Sequence, residues 1–190
     1  MSGPLVQVVL GSTRQGRAGE RVARWFLRQA AGREDLQLEL VDLRDWPLPF
    51  FDQAVPPMMG DYQDLAQQGW AAHVARADAY VLVTPEYNHG YPAVLKNALD
   101  TVFAEWRGKP VCFVGYGGPG GGIRAVEQLR QVVIELDMQP LRDAVLMPRV
   151  YAAFDDGGHL REAWHDREAA AVLDDVAAAA HRLRPSTAPA

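Results

Sequence analysis

The sequence predicts an α/β fold, a doubly wound parallel sheet of five strands with helices on both faces. Two observations lead there. Strand-like runs and helix-like stretches alternate five times along the 190 residues, the pattern of βαβ units. The strand candidates in the middle of the chain are continuous apolar runs, as expected of parallel strands covered on both faces.

Leu5–Leu10 is a β-branched run closed by Gly11 and reads as a buried strand. Residues 16–31 carry Val22, Ala23, Phe26, Leu27 and Ala30 at helical spacing. Leu36, Leu38 and Leu40 alternate with Gln37 and Glu39, giving a second strand over 36–41. Residues 42–61 hold Pro47, Pro49, Pro56 and Pro57 and form a long loop, of a kind that is functional or packed on a partner. A helix is predicted over 62–76 and a strand over Ala79–Val83. Pro92 suits the first position of a helix running to Trp106. Further strands are read at 110–116 and 144–147, and helices at 123–136 and 161–183. With no repeat and no linker, 1–183 is one domain, and 184–190 is expected to be a disordered tail.

Two doubly wound strand orders are common, and one is the flavodoxin order 2-1-3-4-5. Ligands bind such sheets outside the carboxyl ends of the strands at the switch point, which for that order lies between strands 1 and 3. The informative loops are then 11–17, 84–91 and 115–122, which are also the most unusual stretches in composition.

The composition narrows the function. A net charge of -5 argues against nucleic acid as a partner, since sequence-independent binding needs a basic face. The single cysteine, Cys112, permits neither an internal disulfide nor a four-cysteine zinc site. It falls mid-strand, where a core role outweighs a nucleophilic one. No metal site is expected, and His159 and His165 sit in or beside a surface helix. The apolar run near the N-terminus is too short for a signal peptide or a membrane span, so the expected location is cytoplasmic.

The first loop, Gly11-Ser-Thr-Arg-Gln-Gly-Arg17, leads into a helix. Glycines turn the chain tightly, the helix N-terminus is positive, hydroxyls add donors, and arginine forks suit phosphate oxygens. A nucleoside-triphosphate P-loop fits poorly. Arg17 stands where lysine belongs, Ala18 where the magnesium hydroxyl belongs, and Thr84 where a metal-holding aspartate belongs. A monophosphate fits better. The second loop, Thr84-Pro-Glu-Tyr-Asn-His-Gly-Tyr-Pro92, offers tyrosines and backbone groups to a flat heterocycle. Glu86 there has two readings, touching a ring or capping a neighbouring element. The third, Gly115-Tyr-Gly-Gly-Pro-Gly-Gly-Gly122, matches G-x-G-x-x-G but after the fourth strand rather than the first, so a dinucleotide fingerprint is weak. Close passage of backbone past a ligand is the better account.

Taken together, Gly11-Ser-Thr-Arg14 with Arg17 and Val22-Ala-Arg-Trp25, Pro85-Glu-Tyr-Asn88, and Leu95-Lys-Asn-Ala-Leu-Asp100 resemble the NADPH-dependent FMN reductase family, which includes chromate, azo-dye and quinone reductases. The resemblance covers about Leu5 to Leu136, with the blocks in the family's order. It implies a flavodoxin-like three-layer α/β/α sandwich with a five-stranded parallel sheet in the order 2-1-3-4-5. It implies non-covalent FMN, NADPH or NADH as electron donor, a small-molecule electron acceptor such as a quinone, free flavin or azo compound, and a homodimer or homotetramer. By the same resemblance Ser12, Arg14 and Arg17 hold the phosphate, with Thr13 adding its backbone amide. Pro85, Glu86, Tyr87 and Asn88 line the isoalloxazine, and Gly115, Tyr116 and Gly117 lie at its pyrimidine side. Many members carry serine where this chain has Arg17, and arginine there is similar to the quinone reductase branch. The flavin does the chemistry in this reading, and no catalytic side chain is named. Two other readings stand beside it: a flavodoxin-like electron carrier, for which -5 is a mild charge, and a nucleotide-binding regulatory protein. The loop over 47–60, with Phe50, Phe51, Met58 and Met59, and the helix from Ala93 are the expected subunit contacts.

Overall fold

Successive side chains of a strand point to opposite faces, so every strand here feeds two cores. β1 (Leu5–Leu10) sends Val6, Val8 and Leu10 into one and Val9 into the other. The computed structural model describes residues 3–183. After β1 come α1 (Gly19–Gln29), β2 (Gln37–Asp42), a single 3-10 turn at Pro57–Met59 and α2 (Leu65–Ala75). β3 (Ala79–Pro85), α3 (Ala93–Asp100), β4 (Pro110–Tyr116) and α4 (Ile123–Glu135) follow. The chain then forms β5 (Gln139–Met147), α5 (Val150–Ala153) and α6 (Trp164–Leu183).

All strand pairings are parallel and the sheet order is β2-β1-β3-β4-β5. This is the flavodoxin-like order, with its switch point between β1 and β3. β3 and β4 are buried throughout, as central strands must be. On one face, Val22 and Phe26 of α1 and Val172, Leu173 and Val176 of α6 pack on Val8, Val81 and Val114. On the other, Trp70 of α2, Leu95 and Leu99 of α3 and Leu129 of α4 pack on Tyr80, Leu82 and Phe113. Cys112 is fully buried in the first core, and burial pushes its thiol well above the ordinary value.

Several boundaries differ from the sequence expectation, each for a tertiary reason. The helix read from residue 62 starts at Leu65, because Asp64 is its cap and accepts from Gln67 N–H at 3.0 Å. The helix read to Trp106 ends at Asp100. Its terminal carbonyls are taken by side chains: its own cap Thr101 Oγ1 on Asn97 O (2.6 Å), Trp106 Nε1 just past it on Leu99 O (3.1 Å), and Trp70 Nε1 of α2 on Ala98 O (2.8 Å). The fifth strand starts at Gln139, five residues before Ala144. Its first half is polar because it is an edge, where Pro140 is tolerated. The Arg130 guanidinium donates to Leu141 O and Arg142 O there, at 2.6 and 2.7 Å. The last helix starts at Trp164 rather than 161. The expected tail at 184–190 lies outside the described residues.

The proline-rich loop is fastened by Asn97, which accepts from Phe51 N–H at 3.1 Å and donates to Pro49 O at 2.8 Å. Trp46 of the same loop packs on Trp70, with ring centroids 5.1 Å apart. Phe50, Met58 and Met59 nevertheless stay 66–79% exposed.

Candidate active site

The three loops singled out in the sequence leave the carboxyl ends of β1, β3 and β4 and meet there. Backbone bonds tie each of them to a neighbouring strand: Gly11 N–H donates to Val83 O of β3, Glu86 N–H to Tyr116 O of β4, and Gly117 N–H to Met147 O of β5. Between them is a cavity of about 370 Å³ walled by Arg14, Arg17, Pro85, Glu86, Tyr87, Tyr116 and Gly117. Ser12, Thr13, Asn88 and Gly115 are not on its wall. A wider groove of about 720 Å³ runs along β5 between α4 and α6. It carries none of the motif residues, so the candidate chemistry belongs to the smaller cavity.

The first loop has an unusual division of polarity. Its carbonyls are tied down by two guanidinium groups: Arg17 donates to Ser12 O, and Arg44, just beyond β2, donates to Thr13 O (3.2 Å) and Arg14 O (2.6 Å). The backbone N–H groups of residues 12–18 have no acceptor among the described residues. A run of free amides leading into a helix is an anion cradle. Arg14 is exposed and donates to Tyr151 Oη at 2.8 Å. Arg17 behaves differently. Its side chain is 2% exposed and forks onto Asp42, with Glu20 as a second partner. Burial works against both charges, yet their pairing prevails, holding Asp42 below the usual carboxylate range and raising Arg17. Arg17 therefore reaches the cavity with its charge already matched.

Ser12 is buried and shares a hydrogen bond of 2.7 Å with Tyr87 Oη. Tyr87 also closes a two-residue hairpin with Gly90 through paired backbone bonds of 2.8 and 3.0 Å. Asn88 and His89, at its tip, both have positive φ (50° and 68°), as a type I′ turn requires. The Glu86 carboxylate is already engaged: it takes Arg124 N–H (3.2 Å) and pairs with the Arg124 guanidinium, capping α4. That cap replaces the one that Gly122 lacks.

The third loop corrects one expectation. At Gly115 and Gly122 it is the protein's own atoms, not a ligand, that exclude a side chain. A Cβ on Gly115 would meet Val126 Cγ2 at 3.0 Å and one on Gly122 would meet Tyr116 N at 2.5 Å, with φ +89° besides. Of the loop's glycines, Gly117 and Gly118 line the cavity. Tyr116 is 3% exposed, and its hydroxyl lies near Ser12 without a hydrogen bond to any described group. Burial pushes the phenol up, so it stays protonated and is a donor awaiting an acceptor. Tyr151, Asp42 and Arg44 escaped the sequence reading. They stand 137, 25 and 30 residues from their partners in the first loop, and no local pattern marks them.

The NADPH-dependent FMN reductase family profile matches residues 4–152. The chain belongs to this family. It is 41% identical over 150 residues to an NAD(P)H-dependent FMN reductase of Schizosaccharomyces pombe, covering 77% of this chain and 74% of that one. It is 33% identical over 171 residues to a quinone reductase of Pseudomonas putida, covering 83% and 84%. In three dimensions it is similar to FerB, a flavoenzyme NAD(P)H:(acceptor) oxidoreductase from Paracoccus denitrificans. The TM-score is 0.77 at 21% identity, covering 95% and 98% of the two chains, and this likeness speaks for the fold. This FMN reductase family member is an oxidoreductase with FMN as cofactor and NAD(P)H as electron donor. The residues present fit FMN, because the free amides of 12–18 and the unpartnered Tyr116 hydroxyl together lack the acceptor that a phosphate brings. Among the described residues no helix is long and apolar enough to cross a membrane.

Proposed function

We propose that this chain holds the FMN phosphate in the cradle of residues 12–18 and passes electrons from NAD(P)H to a quinone or a similar flat acceptor such as free flavin or an azo compound. The observation that carries the reading is the division of the first loop into bound carbonyls and free amides. Arg14 is the loop's free positive charge and takes the phosphate oxygens, with the Thr13 amide and Ser12 adding neutral donors; Tyr116, which the resemblance puts at the pyrimidine side, has its hydroxyl beside Ser12 and adds a donor there instead. Arg17 acts from behind, fixing Ser12 O and the start of α1. Pro85, Glu86 and Tyr87 offer backbone and ring surface to one side of the isoalloxazine. Gly117 offers a bare backbone to its pyrimidine edge, with Gly115 behind it and Asn88 at the hairpin tip. FMN held there would supply the redox chemistry, hydride transfer from the nicotinamide and reduction of the acceptor. The protein's part is to bind, orient and shield.

The quinone assignment draws on the Pseudomonas putida relative and on a 2-hydroxy-1,4-benzoquinone reductase of Burkholderia at 32% identity. Exposed Phe50, Met58 and Met59 support a dimer or tetramer built on the proline-rich loop, and a monomeric elution profile refutes it. The main test is an absorbance spectrum taken before and after adding FMN and then NADPH under argon. A flavin spectrum that shifts on binding, bleaches with NADPH and returns with a quinone is the expected result. No perturbation of FMN overturns the reading.

A further inference from the structure

One helical turn away from the flavin cavity is a second one, about 310 Å³, between α5 and the start of α6. α5 is the partition. Val150 and Tyr151 face the flavin cavity, while Arg149, Ala152 and Ala153 face the other. Arg161 and Trp164 form the opposite wall. Neither Arg149 nor Arg161 has a side-chain hydrogen bond or ion pair among the described residues. The carboxylate on this wall, Glu162, is engaged by Trp164 Nε1–H at 2.8 Å. Two guanidinium forks therefore open on one cavity without an ion pair, two positive charges against the single carboxylate of Glu162, a donor set suited to phosphate oxygens.

The placement of Arg149 adds to this. It is one of four non-glycine residues with positive φ (49°) among those described, a conformation that costs free energy unless its surroundings enforce it. They do: Arg149 N–H donates to Gly118 O at 2.9 Å and Val150 N–H to Gly117 O at 3.0 Å. The third loop thus fixes the backbone at Arg149, whose side chain is exposed. Arg161 is fixed in turn by its N–H on Ala153 O at 2.9 Å and by the bridge between Phe154 and Leu160. Trp164 is half-buried, with one side of its indole against His165 at 3.6 Å between centroids. It offers an aromatic surface at the same wall.

We infer that this second cavity takes the adenosine end of NADPH, with Arg149 and Arg161 on the 2′-phosphate and Trp164 beside the base. The inference rests on the flavin reading above, because only a ligand reaching past α5 can present a nicotinamide to one cavity and an adenosine to the other. A partition of one helical turn, about 10 Å across with its side chains, is within the span of a dinucleotide. The site separates NADPH from NADH, since the 2′-phosphate is their sole difference.

The test uses the FMN-loaded protein and the double substitution Arg149→Asn with Arg161→Ala, asparagine being chosen because it tolerates positive φ. The KM for NADPH is expected to rise on the order of tenfold or more, the scale of one lost charge-assisted hydrogen bond. The KM for NADH should move less than about twofold on the same scale. Calorimetric titration with adenosine 2′-phosphate is the second readout: heat with the parent protein and none with the variant. Equal shifts for both nicotinamides, or adenosine 2′-phosphate heat that the variant retains, overturn the site. The FMN absorbance of the same samples separates the two levels. Loss of flavin binding by the parent protein defeats the flavin reading, whereas intact flavin without NADPH selectivity defeats this one.

Discussion

Two arginines of one loop are expected to fail in different ways. Arg17→Met removes a guanidinium that is 2% exposed and leaves the Asp42 carboxylate and Ser12 O without their donor. Breaking a buried ion pair by deleting one partner costs about 3–5 kcal/mol. Asp42 is 21% exposed and keeps the Arg44 N–H at 2.9 Å, which lowers the expected loss. We expect about 2–3 kcal/mol, or a melting temperature down by roughly 4–12 °C for a chain of this size. Arg14→Ala removes an exposed group whose side chain touches only the exposed Tyr151 hydroxyl. Stability without flavin should change by less than about 0.5 kcal/mol, while FMN affinity falls by about 1.5–3 kcal/mol, roughly ten- to 150-fold. Urea unfolding of flavin-free protein and fluorescence titration with FMN measure the two quantities. The reasoning is refuted if Arg14→Ala unfolds as easily as Arg17→Met, or if it binds FMN like the parent. Acid adds a check. Burial favours protonating Asp42, but Arg17 overrides it and holds the folded-state value below the unfolded one. The pair's stabilisation is therefore complete at neutral pH and lost as pH falls below about 4. Arg17→Met should lack that part of the acid decline.

Two further outcomes follow from close contacts. In α1, Gly19→Ala would ordinarily stabilise a helix, but its Cβ would meet Tyr116 Oη at 2.4 Å and Leu10 Cδ1 at 2.7 Å. We expect a loss of about 1–3 kcal/mol together with weaker FMN binding; a stabilised variant with parental affinity would show that Tyr116 is not held there. Lys109 donates to Val74 O, Ala75 O and Tyr80 Oη at the end of α2, and burial pushes it down to about 8. Between about pH 8 and 10 the unfolded chain keeps a proton that the folded chain has released, so stability gains with pH. Urea midpoints of the parent should rise relative to Lys109→Met across that window, and a constant difference rules the effect out.

What could be read in advance follows the range of the forces involved. Apolar periodicity is local, so the strands at 5–10, 79–83 and 110–116 and the loops that follow them were legible. The half of β5 at Gln139–Asp143 was not, because an edge strand carries polar side chains and is defined by its backbone pairing with β4. The end of α3 was hidden because Trp70 of α2 and the chain folding back at Trp106 take its last carbonyls. In the site, Arg14, Tyr87 and Gly117 came from local composition. The engagement of Arg17 by Asp42 needed the register of β2 beside β1, where Leu10 pairs with Asp42. The composition of the third loop suggests room for a ligand at Gly115 and Gly122, and the structure gives that room to Val126 and Tyr116.

The tethered carbonyls of residues 12–14 bear on how the cofactor is kept. Because Arg17 and Arg44 set the course of this loop, the backbone of the proposed cradle is held without a phosphate, and less of its ordering entropy is left to be lost on binding. Equally, nothing in the loop has to refold when the flavin departs. If the FMN phosphate sits here as proposed, a cradle built this way lets the flavin come and go without disturbing the sheet beneath.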